Sequence, residues 1–360
     1  MIGESLNIIS IGQCGNRIGK KFEELGAVVY YVNSDNVDMR GLDVAVDKTL
    51  LLDGRGTGGS TVKGQQMFKK HKGKIVEFLK TSLNKDKLNM ILFGLGGGTG
   101  GSLGPLVLDY AIQHKYKTGC LATLPPKMLG ILAGDNALRT LKQIKDVDSN
   151  FFILVDNELL INKIGISSNW WERVNNYIID QISSVFNILK PEKVSQAGIG
   201  SIDKGEVMRI LQFGKGLTDV RVVYLSPYDL RMEERGLILK LFSPIFVEGY
   251  TYKNTLAYLV SIDVPEKGAY TALIKNIFDA TKKISGSAIS RLGMFVDPNL
   301  SSDVIRVTMV NAGLKLPKIL QSRINNLKRD GQRFMDKKEK EETLDLAQIG
   351  EGTLDEDFNL

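Results

Sequence analysis

Gly96-Gly97-Gly98-Thr99-Gly100-Gly101-Ser102 follows the apolar stretch Leu88 to Phe93 and precedes a helical pattern. Strand, glycine loop and helix N-terminus in that order form a holder for phosphate. Glycine has no β-carbon and adopts positive φ, so consecutive backbone N–H groups can face one anion while the helix end adds positive potential. Thr99 and Ser102 add hydroxyls. The lysine of GxxxxGK[ST] spacing is absent, so this is not the common P-loop. The competing reading is a turn whose glycines serve only close packing.

A second loop, Gly12-Gln13-Cys14-Gly15-Asn16, follows the apolar run from Leu6 to Ile11. By itself it has a rival reading. Gly12, Gly15 and Gly19 after a first strand, with Asp35 twenty residues beyond Gly15, imitate a dinucleotide fingerprint in which the acid binds ribose. The spacing departs from GxGxxG, and such folds do not need the later glycine loops.

The chain has 360 residues, 43% hydrophobic and 24% charged, enough for ordinary cores in two domains. No apolar run approaches the roughly 18 residues of a membrane span, and Met1-Ile2-Gly3-Glu4-Ser5 lacks the features of a secretory signal. Cys14 and Cys120 are the only cysteines, and His71 and His114 the only histidines. A disulfide framework and a zinc cluster are therefore not expected, and a reducing, cytoplasmic compartment is. Net charge is +6, but residues 341–360 hold seven acids and no lysine or arginine, leaving +13 on the remainder. A basic body can attract nucleic acid or an acidic partner, or be no more than a solvated surface.

From Leu6 to Leu225 short apolar runs alternate with longer helical patterns, as in a parallel α/β sheet. Strands are predicted at Leu6 to Ile11, Ala27 to Val32, Met90 to Phe93, Gly119 to Thr123 and Phe151 to Val155. Ligands of such sheets sit at the strands' carboxyl ends, where all the informative loops fall. Trp170 to Leu189 reads as one long helix capped by Ser168 or Asn169, with Trp171, Val174, Ile178, Ile182, Val185 and Leu189 on its apolar face. After Gln212-Phe213-Gly214-Lys215-Gly216, further strands are predicted at Val220 to Leu225, Thr255 to Ile262, Ser290 to Val296 and Val304 to Val310, with a turn at Asp297-Pro298-Asn299. Pro317 to Lys340 reads as a basic helix with Leu320, Ile324, Leu327 and Phe334 on one stripe, packed on its own subunit or touching the next. The acidic stretch after it is expected to be disordered.

GQCGN near the N-terminus and GGGTG about a quarter of the way along, in that order, resemble the tubulin and FtsZ superfamily of GTPases, over about Leu6 to Leu314. The rest of the chain looks most like TubZ, the plasmid and phage branch. The resemblance implies a Rossmann-like parallel-sheet GTPase domain (1–168), a long central helix (169–190), a synergy loop with a smaller α+β activation domain (191–314), a C-terminal basic helix (315–340) and an acidic tail (341–360). It places Gly12, Gln13 and Gly15 on phosphate, Gln13 also reaching magnesium that is held mainly by the phosphates, with Cys14 and Asn16 near the base. Asn33-Ser34-Asp35 and the loop Gly54 to Ser60, with Gly56, Thr57, Gly58 and Gly59, match further family loops, the latter near the γ-phosphate. Gly96, Gly97, Gly98, Thr99, Gly100, Gly101 and Ser102 would cradle phosphate.

At the base end the resemblance puts Asn157 and Asn175 on guanine, where an amide suits a purine edge because it donates and accepts at once. Trp171, one turn before Asn175, would stack on the base or serve as a core aromatic; Asn176 is the alternative if the alignment slips by one. The stretch Thr123 to Gly130, including Pro125, lacks the glutamate and arginine that hold ribose in FtsZ. Asp203 and Glu206 in Ser201-Ile202-Asp203-Lys204-Gly205-Glu206-Val207 resemble the acids of the FtsZ synergy loop, which completes the neighbouring subunit's active site. Asp-x-x-Glu ahead of a helix is also a capping box, and the two roles are compatible.

The function implied is a cytoplasmic GTPase that polymerises head to tail with itself, hydrolysis depending on assembly. The TubZ likeness adds segregation of plasmid or phage DNA through a DNA-binding adaptor, without direct base reading. An FtsZ-type division protein, a dinucleotide-dependent oxidoreductase and a non-enzymatic filament are the alternatives.

Overall fold

Leu6–Ile11 is buried at every position, as an interior strand of a parallel sheet covered on both faces must be, and forms β1. The computed structural model describes residues 2–145, 147–188, 200, 202–212, 216–226, 229, 232–266, 271–326 and 329. After β1 come α1 (Gly12–Glu24), β2 (Val28–Asn33), α2 (Asn36–Arg40), β3 (Thr49–Leu51), α3 (Thr61–Ser82), β4 (Leu88–Gly94), α4 (Gly98–Gln113), β5 (Thr118–Leu124), α5 (Gly130–Lys145), β6 (Phe152–Asp156), α6 (Asn157–Ile164) and α7 (Trp170–Asn187). Then follow α8 (Lys204–Gln212), β7 (Leu217–Leu225), α9 (Glu234–Leu241), β8 (Ala257–Val264), α10 (Thr271–Ser285), β9 (Ile289–Val296) and β10 (Ile305–Leu314).

Among the described residues ten strands make one sheet in the order β3-β2-β1-β4-β5-β6-β7-β10-β8-β9. From β3 to β6 every neighbour is parallel, with β1 and β4 in register through Ile11↔Phe93. The sheet passes to its second half through one parallel pairing, Phe152↔Leu217. There β10 runs antiparallel to both β7 and β8, while β9 lies parallel to β8 across the α10 crossover. This is the mixed α/β fold expected. Each predicted strand is present, shifted or lengthened by a few residues, and Asp297 closes the expected turn by accepting from Leu300 N at 3.1 Å. The sequence reading missed β3, a three-residue edge strand that is half-buried to exposed.

The α7 helix buries Val174, Ile178, Ile182 and Val185 as predicted. Trp170 rather than Trp171 is the fully seated tryptophan. Asn169 is the N-cap residue but gives no side-chain cap. Gln181 reaches from α7 to the sheet, its Oε1 accepting from Val222 N at 2.6 Å. One apolar cluster fills both faces of the parallel half and extends to Leu320 and Ile324; a second lies between β7, β8, β10 and helices α9 and α10. Residues 318–326 are helical, and burial of Leu320 and Ile324 seats that part of the basic helix on its own chain. Leu189, Ser201, the 213–215 boundary, Leu327, Phe334 and the acidic tail lie outside the described residues. No helix among the described residues is long and apolar enough to cross a membrane.

Candidate functional site

Two neighbouring helices begin without a side-chain cap at the carboxyl ends of two neighbouring strands. The α1 helix starts directly after β1 with Ile11 as its N-cap residue, and α4 starts after β4 with Gly97, and neither N-cap residue accepts a bond from its helix through a side chain. The first N–H groups of a helix have no carbonyl of their own to meet. In α4 the ladder opens with Gly101 N to Gly97 O at 3.0 Å, which leaves Gly98, Thr99 and Gly100 facing out. Asp35, Ser60 and Asp156 cap α2, α3 and α6 with their own side chains, while α7 and α9 also lack a side-chain cap but do not start at the ends of β1 and β4. Both bare ends open into one cleft of about 530 Å³, within the range of small-molecule sites. Gly12 has φ +71°, and a β-carbon there would come 2.9 Å from Gly100 N, so the two helix ends approach because neither residue has a side chain.

The surrounding loops are fixed from below. Ser34 and Thr99 share a hydroxyl hydrogen bond at 2.6 Å, which ties the end of β2 to the start of α4. Asn136 on α5 donates to Gly59 O at 2.7 Å and to Gly96 O at 3.0 Å, clamping the 57–59 loop to the glycine run. No motif pointed to Asn136. Gln13 donates through Nε2 to Asp38 Oδ1 at 2.7 Å, leaving the amide oxygen uncommitted by that bond. Asp35, the acid that a dinucleotide reading would put on ribose, caps α2 by accepting from Val37 N at 2.7 Å.

At the other end of the cleft lie Asn157, Trp171, Asn175 and Pro125. Asn157 is almost completely buried and its Oδ1 has no hydrogen-bond partner. Trp171 stacks on Trp170 with ring centroids 3.5 Å apart. Cys14 lies between, its Sγ 3.2 Å from Thr123 Oγ1. Burial pushes its thiol above the usual cysteine range, outweighing the opposite pull of Thr123 and Arg17.

Of the nucleotide-binding residues expected from sequence, Gly12, Gln13, Cys14, Asp35, Gly56, Thr57, Gly58, Gly59, Gly96, Gly97, Gly98, Thr99, Gly100, Pro125, Asn157, Trp171 and Asn175 line this cleft. Four do not. Asn16, expected near the base, is fully buried and donates to Val32 O and Met39 Sδ, both at 3.3 Å, joining α1 to β2 and α2. Gly15 packs on the Leu92 carbonyl, and a β-carbon on Gly101 would come 2.8 Å from Leu95 O and from Thr140 Oγ1. The Ser102 hydroxyl turns back to Gly98 O at 2.6 Å. These four hold the loops in place from inside. Sequence reasoning missed Arg17 and Asp38 in the lining, whereas Thr123 and Leu129 fall in the stretch compared with the ribose loop. Arg17 lies one helical turn beyond Gln13 on α1, the only signal that could have found it.

Asp203 and Glu206 lie elsewhere. Glu206 N donates to Asp203 Oδ1 at 2.7 Å and Asp203 N to Glu206 Oε2 at 3.2 Å, a complete capping box at the start of α8. Glu206 is also paired with Arg291 of β9 at 2.6 Å, and Ile202 packs on Gly293 of the same strand. In the sheet order β9 is the edge strand farthest from β3, and five strands separate it from the β1–β4 pair beneath the cleft.

This strand order, with a cleft over the carboxyl ends of β1 and β4, is the tubulin/FtsZ fold, and residues 5–165 match the Tubulin/FtsZ family, GTPase domain. Over most of its length the chain is similar to the tubulin-like protein CetZ of Pyrococcus abyssi, 25% identical over 93% of this chain and 92% of that one. It is 24% identical to cell division protein FtsZ 1 of Methanocaldococcus jannaschii, over 86% of this chain and 83% of that one. A GTPγS-form protofilament of TubZ from Bacillus thuringiensis serovar israelensis superposes with a TM-score of 0.77 at 18% identity, covering 93% and 94% of the two chains. CetZ and FtsZ thus resemble this chain in sequence, whereas the likeness to TubZ speaks for the fold alone.

Proposed function

We propose that this chain binds and hydrolyses GTP and polymerises head to tail, each cleft being completed by the next copy. One observation carries the nucleotide half: α1 and α4 present uncapped N-termini to a single cleft. Partial positive charge at two helix ends, and N–H groups already aimed, suit a polyphosphate without a lysine. The buried, unpartnered Asn157 Oδ1 supplies an acceptor for a purine donor group at the far end.

Among the described residues no group of three or more His, Cys, Asp or Glu side chains could hold a metal ion. In this reading magnesium would take most of its oxygens from the phosphates, and the Gln13 amide oxygen is a hard donor placed to join them. When bound, the ion offsets phosphate charge. The residues of the chain hold the phosphates by backbone N–H groups and fix the purine by Asn157, Asn175 and Trp171. Within this reading residues 1–168 bind nucleotide, 169–190 connect, and 191–314 supply the acid for the next copy.

Support for assembly comes from two separate exposed apolar surfaces. Met128, Leu129 and Leu132 are exposed around the cleft mouth, while Leu256, Ile289 and Leu292 are exposed beside the β9 edge where Asp203 lies. Two different apolar surfaces, one after β5 and one at the β8–β9 edge, favour a heterologous contact, which repeats without closing. A carboxylate delivered across that contact can orient or deprotonate the attacking water. The TubZ neighbour is itself a protofilament. Segregation of plasmid or phage DNA through an adaptor has only the fold likeness to TubZ behind it and forms no part of this proposal.

Light scattering tests it. GTP with magnesium should raise the signal and its exhaustion should lower it, while GTPγS should hold the signal for longer. A solution whose scattering ignores guanine nucleotide contradicts the reading.

A further inference from the structure

We propose that Arg323 is a positioning residue for the purine end of the cleft, acting on Asn157 through Asp156 and on the Pro125 turn directly; this rests on the guanine-nucleotide reading above. Arg323 lies 167 residues beyond Asp156, on the helical stretch 318–326, and its Nη1 is hydrogen-bonded and ion-paired to Asp156 Oδ1. Its Nη2 donates to Pro125 O at 2.8 Å. One guanidinium therefore bridges the loop after β5 and the end of β6, the two walls between which the base would enter.

Asp156 is not a neutral handle. Its Oδ1 also accepts from Glu158 N at 3.0 Å, capping α6, whose first residue is Asn157. The Asp156 side chain is 11% exposed and that of Arg323 12% exposed. Removing the cation leaves a largely buried carboxylate without its counter-charge, a costly state relieved by turning outward or admitting water. Either response moves the residue next to it. Leu320 and Ile324, buried on either side of Arg323, keep the arginine in its seat. A second tie, Lys127 N to Glu158 Oε2 at 2.9 Å, joins the same two loops but leaves Asp156 and Pro125 O untouched.

Arginine suits the position because a planar fork reaches two acceptors at fixed angles, whereas the single ammonium of lysine cannot hold both. The arrangement gives the C-terminal segment a lever on nucleotide retention, since lifting residues 318–326 breaks both contacts together.

The test is the dissociation rate of mant-GDP from the full chain, measured for wild type, Arg323→Ala, Arg323→Lys, Asn157→Ala and the double variant Arg323→Ala with Asn157→Ala. Arg323→Ala should speed release by roughly fivefold to tenfold, the worth of about one hydrogen bond, with Arg323→Lys speeding it as well. In the double variant the two effects should fall short of multiplying, because the part of the Arg323 effect that runs through Asp156 needs Asn157 in place. Release from both Arg323 variants at the wild-type rate, or effects that multiply in the double variant, would overturn the inference even if thermal stability falls. Wild-type protein that binds no mant-GDP contradicts the guanine-nucleotide reading itself and removes the basis of the inference with it.

Discussion

Asp203 and Glu206 hold one another's backbone N–H groups, at 2.7 and 3.2 Å, so the two acids offered for catalysis also start a helix. The capping role is satisfied on its own chain; the proposed catalytic role would need another copy. Serine separates them, because it caps a helix about as well as aspartate but brings no carboxylate. Asp203→Ser should leave the unfolding midpoint close to wild type and lower GTP turnover in assembled protein by roughly 10²-fold or more. Asp203→Ala should add a stability loss of about 1 kcal/mol. Turnover of Asp203→Ser at the wild-type rate would remove the residue from the mechanism.

Gly98 is where the glycine run meets the 57–60 loop. A β-carbon there would collide with the Thr57 hydroxyl and come 2.8 Å from Gly59 C and Ser60 N. Two pieces of backbone cannot yield cheaply, so Gly98→Ala should cost roughly 1–3 kcal/mol of stability and displace the loop assigned to the γ-phosphate. Competition binding should show GTP affinity falling more than GDP affinity. Equal losses for the two nucleotides would dissociate that loop from the γ-phosphate.

Cys14 offers a chemical probe of occupancy. Its thiol titrates above the ordinary cysteine range, so at neutral pH less of it is thiolate than in a free cysteine, and alkylation should be slow and accelerate as pH rises past about 8.5. Cys120 is fully buried, with its thiol pushed up further by burial, and should stay unmodified. GDP or GTP should slow iodoacetamide labelling of Cys14, read by mass spectrometry. Labelling indifferent to saturating nucleotide would place the ligand elsewhere.

What sequence could show follows from how local the signal is. β1 and β4 were legible because their apolar runs end in glycine loops, and α7 because Val174, Ile178, Ile182 and Val185 keep helical spacing over several turns. β3 was not, since three half-exposed residues at a sheet edge carry neither alternation nor a continuous apolar run. The same limit applies in the cleft. The glycine motifs gave its walls, but whether a glycine faces ligand or packs on backbone depends on what stands behind it. Gly101 faces Leu95 O and Thr140, and Gly15 the Leu92 carbonyl, and neither fact is written in the motif. Asn136 and Arg323 were out of reach for a different reason: each is one polar residue in a helix, and only the fold brings it against loops 40 to 198 residues away.

The central claim is that the cleft of one copy lacks an acid that the next copy provides. Phosphate release per molecule, measured in GTP and magnesium across a dilution series, tests this most directly. Specific activity should be near zero below a threshold concentration and climb steeply where scattering first appears; a constant specific activity down to concentrations at which the protein is strictly monomeric would contradict the account.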